Sequence, residues 1–423
     1  MPIQDINPTL IFLVTAVLVV LVGRVGYRMT RNRTADIADG GVELRSTPDY
    51  YGWYALVWMF LPLLVITILV AALELTGAIR VPGLWIAAAW IALPALILAP
   101  VVRSVHADLN ARILVERVIY GVLLSAALVS IFTTIGIMLS VLFESIQFFQ
   151  HPGVSVTEFL FGTEWSPGGA FLESAGRGTE QGADAAFGAV PLFAGTLIIT
   201  GIAMLIAVPV GVLSAVYLSE YASKYVRRIG KPLIEILAGI PTVVYGFFAA
   251  ITVAPLIVKA AQWAGLEASY QNALAPGLIM GVMIIPFMSS LCDDVMSSVP
   301  QNIRRASYAM GATSSETIKQ VVLPAAFPGI ISAFLLAISV AIGETMIVVM
   351  AAGLTANLTA NPLAEMTTVT VHIVDNLTGD QAYDNPQTLS AFGLGLTLLF
   401  MTLILNVIST IIIRKFRMQY EGD

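Results

Sequence analysis

Apolar positions in this chain come in long runs rather than in alternation. Segments of about 20 residues or more with almost no charge lie near 8–27, 53–76, 84–102, 117–143, 190–218, 232–258, 274–297, 327–352 and 389–413. As a helix, each is long enough to cross the roughly 30 Å of hydrocarbon in a bilayer. The pattern predicts an all-α integral membrane protein with about nine transmembrane helices. The first run is preceded by Asp5 rather than by basic residues, and no small-x-small pattern precedes Arg24. It therefore reads as a retained helix and not as a signal peptide.

The polar connectors carry the charge that sets orientation. Of the 21 Lys and Arg residues, 18 fall on one alternating set of connectors, and only Arg80, Arg177 and Lys259 fall on the other. A bias of this size puts the first set in the cytoplasm. The N-terminus is then outside and the C-terminus inside. Tyr50, Tyr51, Trp53 and Tyr54 cluster where the second run begins, and are expected to form an interfacial aromatic belt.

The runs group into parts. Residues 1–102 hold three spans, with a polar cytoplasmic loop at about 29–50. Residues 103–116 (RSVHADLNARILVE) read as an amphipathic cytoplasmic linker, and residues 117–417 hold six further spans. Two long external stretches interrupt the second part. One is 144–189, with "FLFGTEWSPGG" and Gly168, Gly169, Gly176, Gly178 and Gly182; the other is 353–388. Loops of this length are functional or disordered more often than they are plain connectors.

Composition narrows the chemistry. The chain is 57% hydrophobic and 11% charged, against about 25% charged in a soluble domain. A net charge of −6 gives no reason to expect a nucleic-acid partner. The single cysteine, Cys292, leaves no internal disulfide, and His106, His151 and His372 are far apart with no ligand-like neighbours. No catalytic or metal-binding constellation is expected. No Gly-x-x-x-x-Gly-Lys-Ser/Thr loop occurs, so the chain is not expected to bind ATP by that motif.

One polar stretch stands out between two apolar runs: "RRASYAMGATSSETIKQVVLPAA", 304–326. Pro300 suits a helix start, with Ser297 or Ser298 as cap. A short helix then covers 301–310, and Gly311 suits the left-handed position that ends it. Thr313 and Glu316 fit a capping box for a second helix over about 314–322. Leu323-Pro324 is expected to stop that helix before the next span. Ile303, Ala306, Met310 and Ile318 are expected to share one apolar side.

These residues resemble the EAA loop of ABC-transporter permeases. That loop reads Glu-Ala-Ala, three residues, Gly, nine residues, Ile-x-Leu-Pro. The matching positions here are Arg305, Ala306 and Ser307, then Gly311, then Val321, Val322, Leu323 and Pro324, with the spacing kept throughout. Arg305 departs from Glu, Ser307 from the second Ala and Val321 from Ile. The resemblance implies that 299–325 is a coupling loop that docks into a cleft on a cytoplasmic ATPase, with Ala312, Thr313 and Glu316 in its turn. "LSEYA" (218–222), "LAGIPTVVYGFFA" (237–249), "AIGETMIVVMAAG" (341–353) and "FGTEWSP" (161–167) resemble the phosphate permeases, closest to the PstC-type subunit.

The resemblance implies a type I ABC importer permease core of six helices behind a three-helix N-terminal extension. It also implies a bacterial inner-membrane location and a heterodimer with a PstA-like permease. Two ABC ATPases would sit below and a phosphate-binding protein outside, with ATP and Mg used only by the ATPases. Other readings are a permease for another oxyanion, such as phosphonate, sulfate or molybdate, or a secondary transporter or channel needing no ATPase. Many relatives have Arg four residues before the Glu of the Gly-Glu-Thr run; this chain has Val340.

Polar residues inside the apolar runs are candidates for the translocation path. Glu344, beside Thr345, is the charge placed deepest, well inside the eighth run, and is expected to face protein and bond a donor there. Thr196, Thr200, Thr242 and Tyr245 can hydrogen-bond an oxyanion or stitch helices together. Asp293 and Asp294, near the end of the seventh run, read as solvated helix-end charges.

Overall fold

A computed structural model describes residues 8–168, 185–378 and 385–420. Gly169, Gly176, Arg177, Gly178 and Gly182 of the external stretch lie outside the described residues, as does Asp5. Among the described residues, nine helices are long and apolar enough to cross a membrane. The chain divides into two compact units, Met1–Ile135 and Gly136–Asp423.

The first unit contains α1 (Pro8–Asp39), α2 (Pro48–Leu75), α3 (Gly83–Ser104) and the start of α4 (Ala111–Gln150). Helix α1 runs well past its apolar segment, through a polar stretch to Asp39. The Thr30 hydroxyl donates to the Gly26 carbonyl at 2.8 Å. The linker is likewise shorter than the polarity suggests. Helix α4 already starts at Ala111, with an Arg112–Glu116 pair at 2.6 Å one turn in. Tyr51 is not part of an interfacial belt: it is fully buried and donates to the Leu109 carbonyl at 2.8 Å. Small residues let the helices close, since a Cβ at Gly26 would stand 2.7 Å from the Met59 sulfur.

The second unit begins with the end of α4. It continues through α5 (Val156–Phe161), a two-residue antiparallel ribbon of β1 (Trp165–Ser166) and β2 (Ala186–Phe187), and α6 (Val190–Val216). Phe148, Phe159, Trp165 and Phe187 pack edge to face around the ribbon. Helix α6 ends in a π-helical turn, Tyr217–Tyr221. Next come α7 (Lys224–Ala238), α8 (Thr242–Phe248), a second π-turn (Ala249–Val253) and α9 (Ala254–Trp263). Helix α10 (Leu274–Ser298) packs along α6, where a Cβ on Gly281 would meet the Ala203 carbonyl at 2.9 Å.

The rest is α11 (Gln301–Ala309), α12 (Ser314–Thr317), a third π-turn (Ile318–Val322), α13 (Leu323–Gly343), α14 (Met346–Ala351), α15 (Val369–Leu377) and α16 (Pro386–Tyr420).

Two spans differ from their apolar runs. Gly239-Ile240-Pro241 divides the run 232–258, so α7 is a separate amphipathic helix and the span starts at Thr242. Hydropathy does not register that break, which comes from Pro241 in an extended conformation. The run 327–352 divides at Glu344, where α13 ends.

Candidate coupling surface and its polar struts

The hairpin is built from local rules. Pro300 is itself the residue before α11, and no side chain caps that helix; Ser298 instead donates to the Val295 carbonyl. Helix α11 ends at Ala309, and two residues on Gly311 takes the left-handed turn with a φ of +88°. The Gly311 amide donates to Tyr308 and the Ala312 amide to Ser307, the paired bonds of a Schellman turn. Thr313 Oγ1 accepts from the Glu316 amide at 3.3 Å, and the Glu316 carboxylate accepts from the Thr313 amide at 2.8 Å. The capping box is therefore complete. Ser307 and Thr317 hydroxyls bond across the two arms at 2.9 Å.

Two expectations are corrected here. Leu323-Pro324 does not stop the second arm. Helix is continuous from Ser314 to Gly343 through the π-turn, where the Leu323 amide donates to the Ile318 carbonyl. The wider turn gives room to the proline ring, which would clash with a carbonyl in a regular helix. The same device recurs at Ala249–Val253, just before Pro255. Ile318 does not join an outward apolar face: it is buried, 3% exposed. The outward surface carries Ile303, Arg305, Ala306, Tyr308 and Met310, the last 89% exposed.

One buried ionic strut holds this hairpin, a second ties α7 to α10 beside it, and sequence reasoning missed both. Arg304 is 8% exposed; its guanidinium donates to the Glu220 carboxylate and, at 2.6 Å, to the Met296 carbonyl. Glu220 lies in the π-turn that ends α6, inside the "LSEYA" stretch quoted above, so the hint was present without a partner. Asp293 forms the second strut. It is 2% exposed and not a solvated helix-end charge as expected. Arg227 donates to its two oxygens at 2.8 and 3.1 Å, and Lys231 to one of them at 2.9 Å. Hydrogen bonding to Asp293 holds the Lys231 ammonium above its ordinary range. Asp294, 68% exposed, does match the solvated reading.

Glu344 is not inside a helix: it sits half-buried at the break before α14. One carboxylate oxygen accepts from the Met346 and Ile347 amides at 2.9 and 3.2 Å, and its carbonyl accepts from Thr370 at 3.0 Å. It therefore bonds protein donors as expected, but those donors are the amides of its own next turn. Thr345 donates weakly to Gly343 at 3.3 Å. Thr196 is buried and ties α6 to α15, donating to Leu192 and accepting from the Val369 amide. Thr200 is buried on the same helix. Tyr245 donates to the Leu237 carbonyl at 2.8 Å and so bridges the α7–α8 break, which Thr242 borders. Val340 is 39% exposed, one turn before Glu344.

Residues 207–418 match the family model described as a binding-protein-dependent transport system inner membrane component. Residues 16–77 match one described as a phosphate ATP-binding cassette transporter. The chain is 30% identical over 326 residues to the phosphate transport system permease protein PstC of Mesorhizobium japonicum, covering 73% of this chain and 94% of that protein. The chain belongs to the PstC-type permeases of binding-protein-dependent import systems. It is also 32% identical over 280 residues to the probable ABC transporter permease protein YqgH of Bacillus subtilis, covering 66% of this chain and 85% of that protein. PstC 1 of Mycobacterium tuberculosis is 31% identical over 277 residues, 61% of this chain and 81% of that protein. The match at 207–418 takes in both struts, the hairpin and the Glu344 break. The match at 16–77 gives the N-terminal extension a family context of its own.

Proposed function

We propose that this chain is the membrane subunit of an ATP-driven phosphate importer, and that the hairpin 299–325 is where it meets the ATPase. The observation that carries the reading is mechanical. The hairpin is fixed to the ends of α6 and α10 by Arg304, and its second arm continues without a stop into the span α13. A push on Met310 or Arg305 is then delivered to a transmembrane helix rather than dissipated in a flexible loop. A helix seated in a groove is a recurrent way to join two proteins, and the exposed Ile303, Tyr308 and Met310 suit such a groove.

In this reading the 18 basic residues of one connector set lie in the cytoplasm, with the N-terminus outside and the C-terminus inside. A homologous PstA-like permease completes the pathway, two ATPase subunits bind ATP and Mg, and an external binding protein delivers phosphate. The chain itself performs no catalysis. With Val340 in place of Arg, attraction of the anion falls to other groups, on this chain or its partner.

Purification of the tagged chain in mild detergent tests the reading. An ATP-hydrolysing subunit and a second permease are expected to co-purify, and vesicles of the complex to accumulate phosphate only with ATP. Accumulation driven by an ion gradient without ATP would point to a secondary transporter. Preference for sulfate or molybdate would keep the machine and change its cargo.

A further inference from the structure

Helix α7 is strongly amphipathic, and only its inner side is engaged with the rest of the chain. Arg227 and Lys231 face inward to Asp293, in the last turns of α10. Two residues, Ala222 and Ser223, tie its start to the span that ends at Tyr221, and three residues tie its end to the span that starts at Thr242. The helix is thus held at the level where spans end. One outward flank carries Lys224 and Arg228, one turn apart. The next carries Tyr225, Ile229, Leu233 and Ile236, exposed by 73, 42, 58 and 63%. Lys224, Arg227, Arg228, Lys231, Pro232 and Glu235 line an open concavity of about 430 Å³ with four cations and one acid.

A helix with a basic flank beside an apolar one, tethered at a bilayer boundary, matches the physics of interfacial binding. We propose that α7 is a binding site for anionic phospholipid. Lys224 and Arg228, with Arg227 and Lys231 behind them, hold the headgroup phosphodiester. Tyr225, Ile229, Leu233 and Ile236 lie against the acyl chains. Free inorganic phosphate shares the anionic chemistry but leaves the apolar flank in water, so lipid is the occupant. This inference rests on the chain's being a membrane protein, not on its cargo.

The test uses the full chain in detergent, observed by native mass spectrometry with added phosphatidylglycerol, phosphatidylcholine or inorganic phosphate. Phosphatidylglycerol is expected to be retained in preference to phosphatidylcholine and not displaced by inorganic phosphate. The double variant Lys224→Gln, Arg228→Gln, which leaves both ion pairs to Asp293 in place, is expected to weaken that retention about 30-fold. Equal retention of the two lipids, no change in the double variant, or displacement by phosphate would each overturn the proposal. A nitroxide on Ile229→Cys in nanodiscs gives a second measurement, with Cys292 buried away from the label. Access to dissolved oxygen in the assembled complex supports lipid there. Shielding that appears only when the partner permease binds would assign the face to protein and contradict the proposal.

Discussion

Arg304 and Glu220 lie 84 positions apart and meet as a buried ion pair, 9% and 8% exposed at their side chains. The pair joins the hairpin to the end of α6, while a second bond from Arg304 reaches the end of α10. Breaking a buried pair by removing one partner strands a charge, at about 3–5 kcal/mol, whereas replacing both by apolar groups is often near neutral. Glu220→Met is therefore expected to lower the thermal midpoint in detergent markedly. Glu220→Met with Arg304→Met should recover most of that loss. If the double variant melts even lower than the single one, the strut is not what the geometry implies.

Gly311 has open space where a Cβ would go, so the cost of replacing it lies in the backbone alone. Its φ of +88° costs a β-branched residue about 1–2 kcal/mol, and Asn much less. Gly311→Val is expected to insert normally yet lose uptake, with Gly311→Asn near wild type. Phosphate uptake with both variants matched for membrane content checks this.

Glu344 holds two backbone amides with one oxygen. Gln offers the same acceptor, so Glu344→Gln is expected to keep uptake near normal. Glu344→Ala leaves those amides uncapped, at about 1 kcal/mol by analogy with helix caps, and should lower uptake more. A sharp loss with Gln would restore a role for the charge itself.

His372 is 5% exposed; burial holds its pKa below the ordinary value near 6.5, while nearby Asp375 pulls the other way. Its ring lies edge-on to Trp165, and Nε2 meets the Leu354 carbonyl at 3.1 Å. Above both folded and unfolded pKa values neither state binds the proton, and stability is unaffected. As pH falls below about 6.5 the unfolded chain takes up the proton first, so stability drops until the folded pKa is passed. The melting midpoint should decline over that range, and His372→Phe should flatten the decline. An unchanged slope in His372→Phe would assign the pH effect to other groups.

What was legible in the sequence was local. Apolar length alone marked nine spans, and the Gly311 turn and the Thr313–Glu316 box follow from residues within four positions of each other. What escaped needed distance or a change of helical period. Glu220 and Arg304 have no common local pattern. Asp293 looks like any helix-end carboxylate until α7 folds back over it. Ile318 sits on the second arm, so the pattern of α11 does not set its direction, and the π-turn at 318–322 is why Pro324 breaks nothing. Glu344 looked deep because hydropathy is blind to the extended backbone at that position.

The central claim is that the hairpin transmits ATPase motion to α13, and cross-linking at its tip tests this most directly. Met310→Cys in the assembled complex, with a short thiol cross-linker, is expected to give one adduct, to the ATP-binding subunit. The yield should change between nucleotide-free and ATP-bound states, and the adduct should abolish uptake. An adduct whose yield ignores nucleotide, or uptake that persists once the tip is cross-linked, would contradict the account.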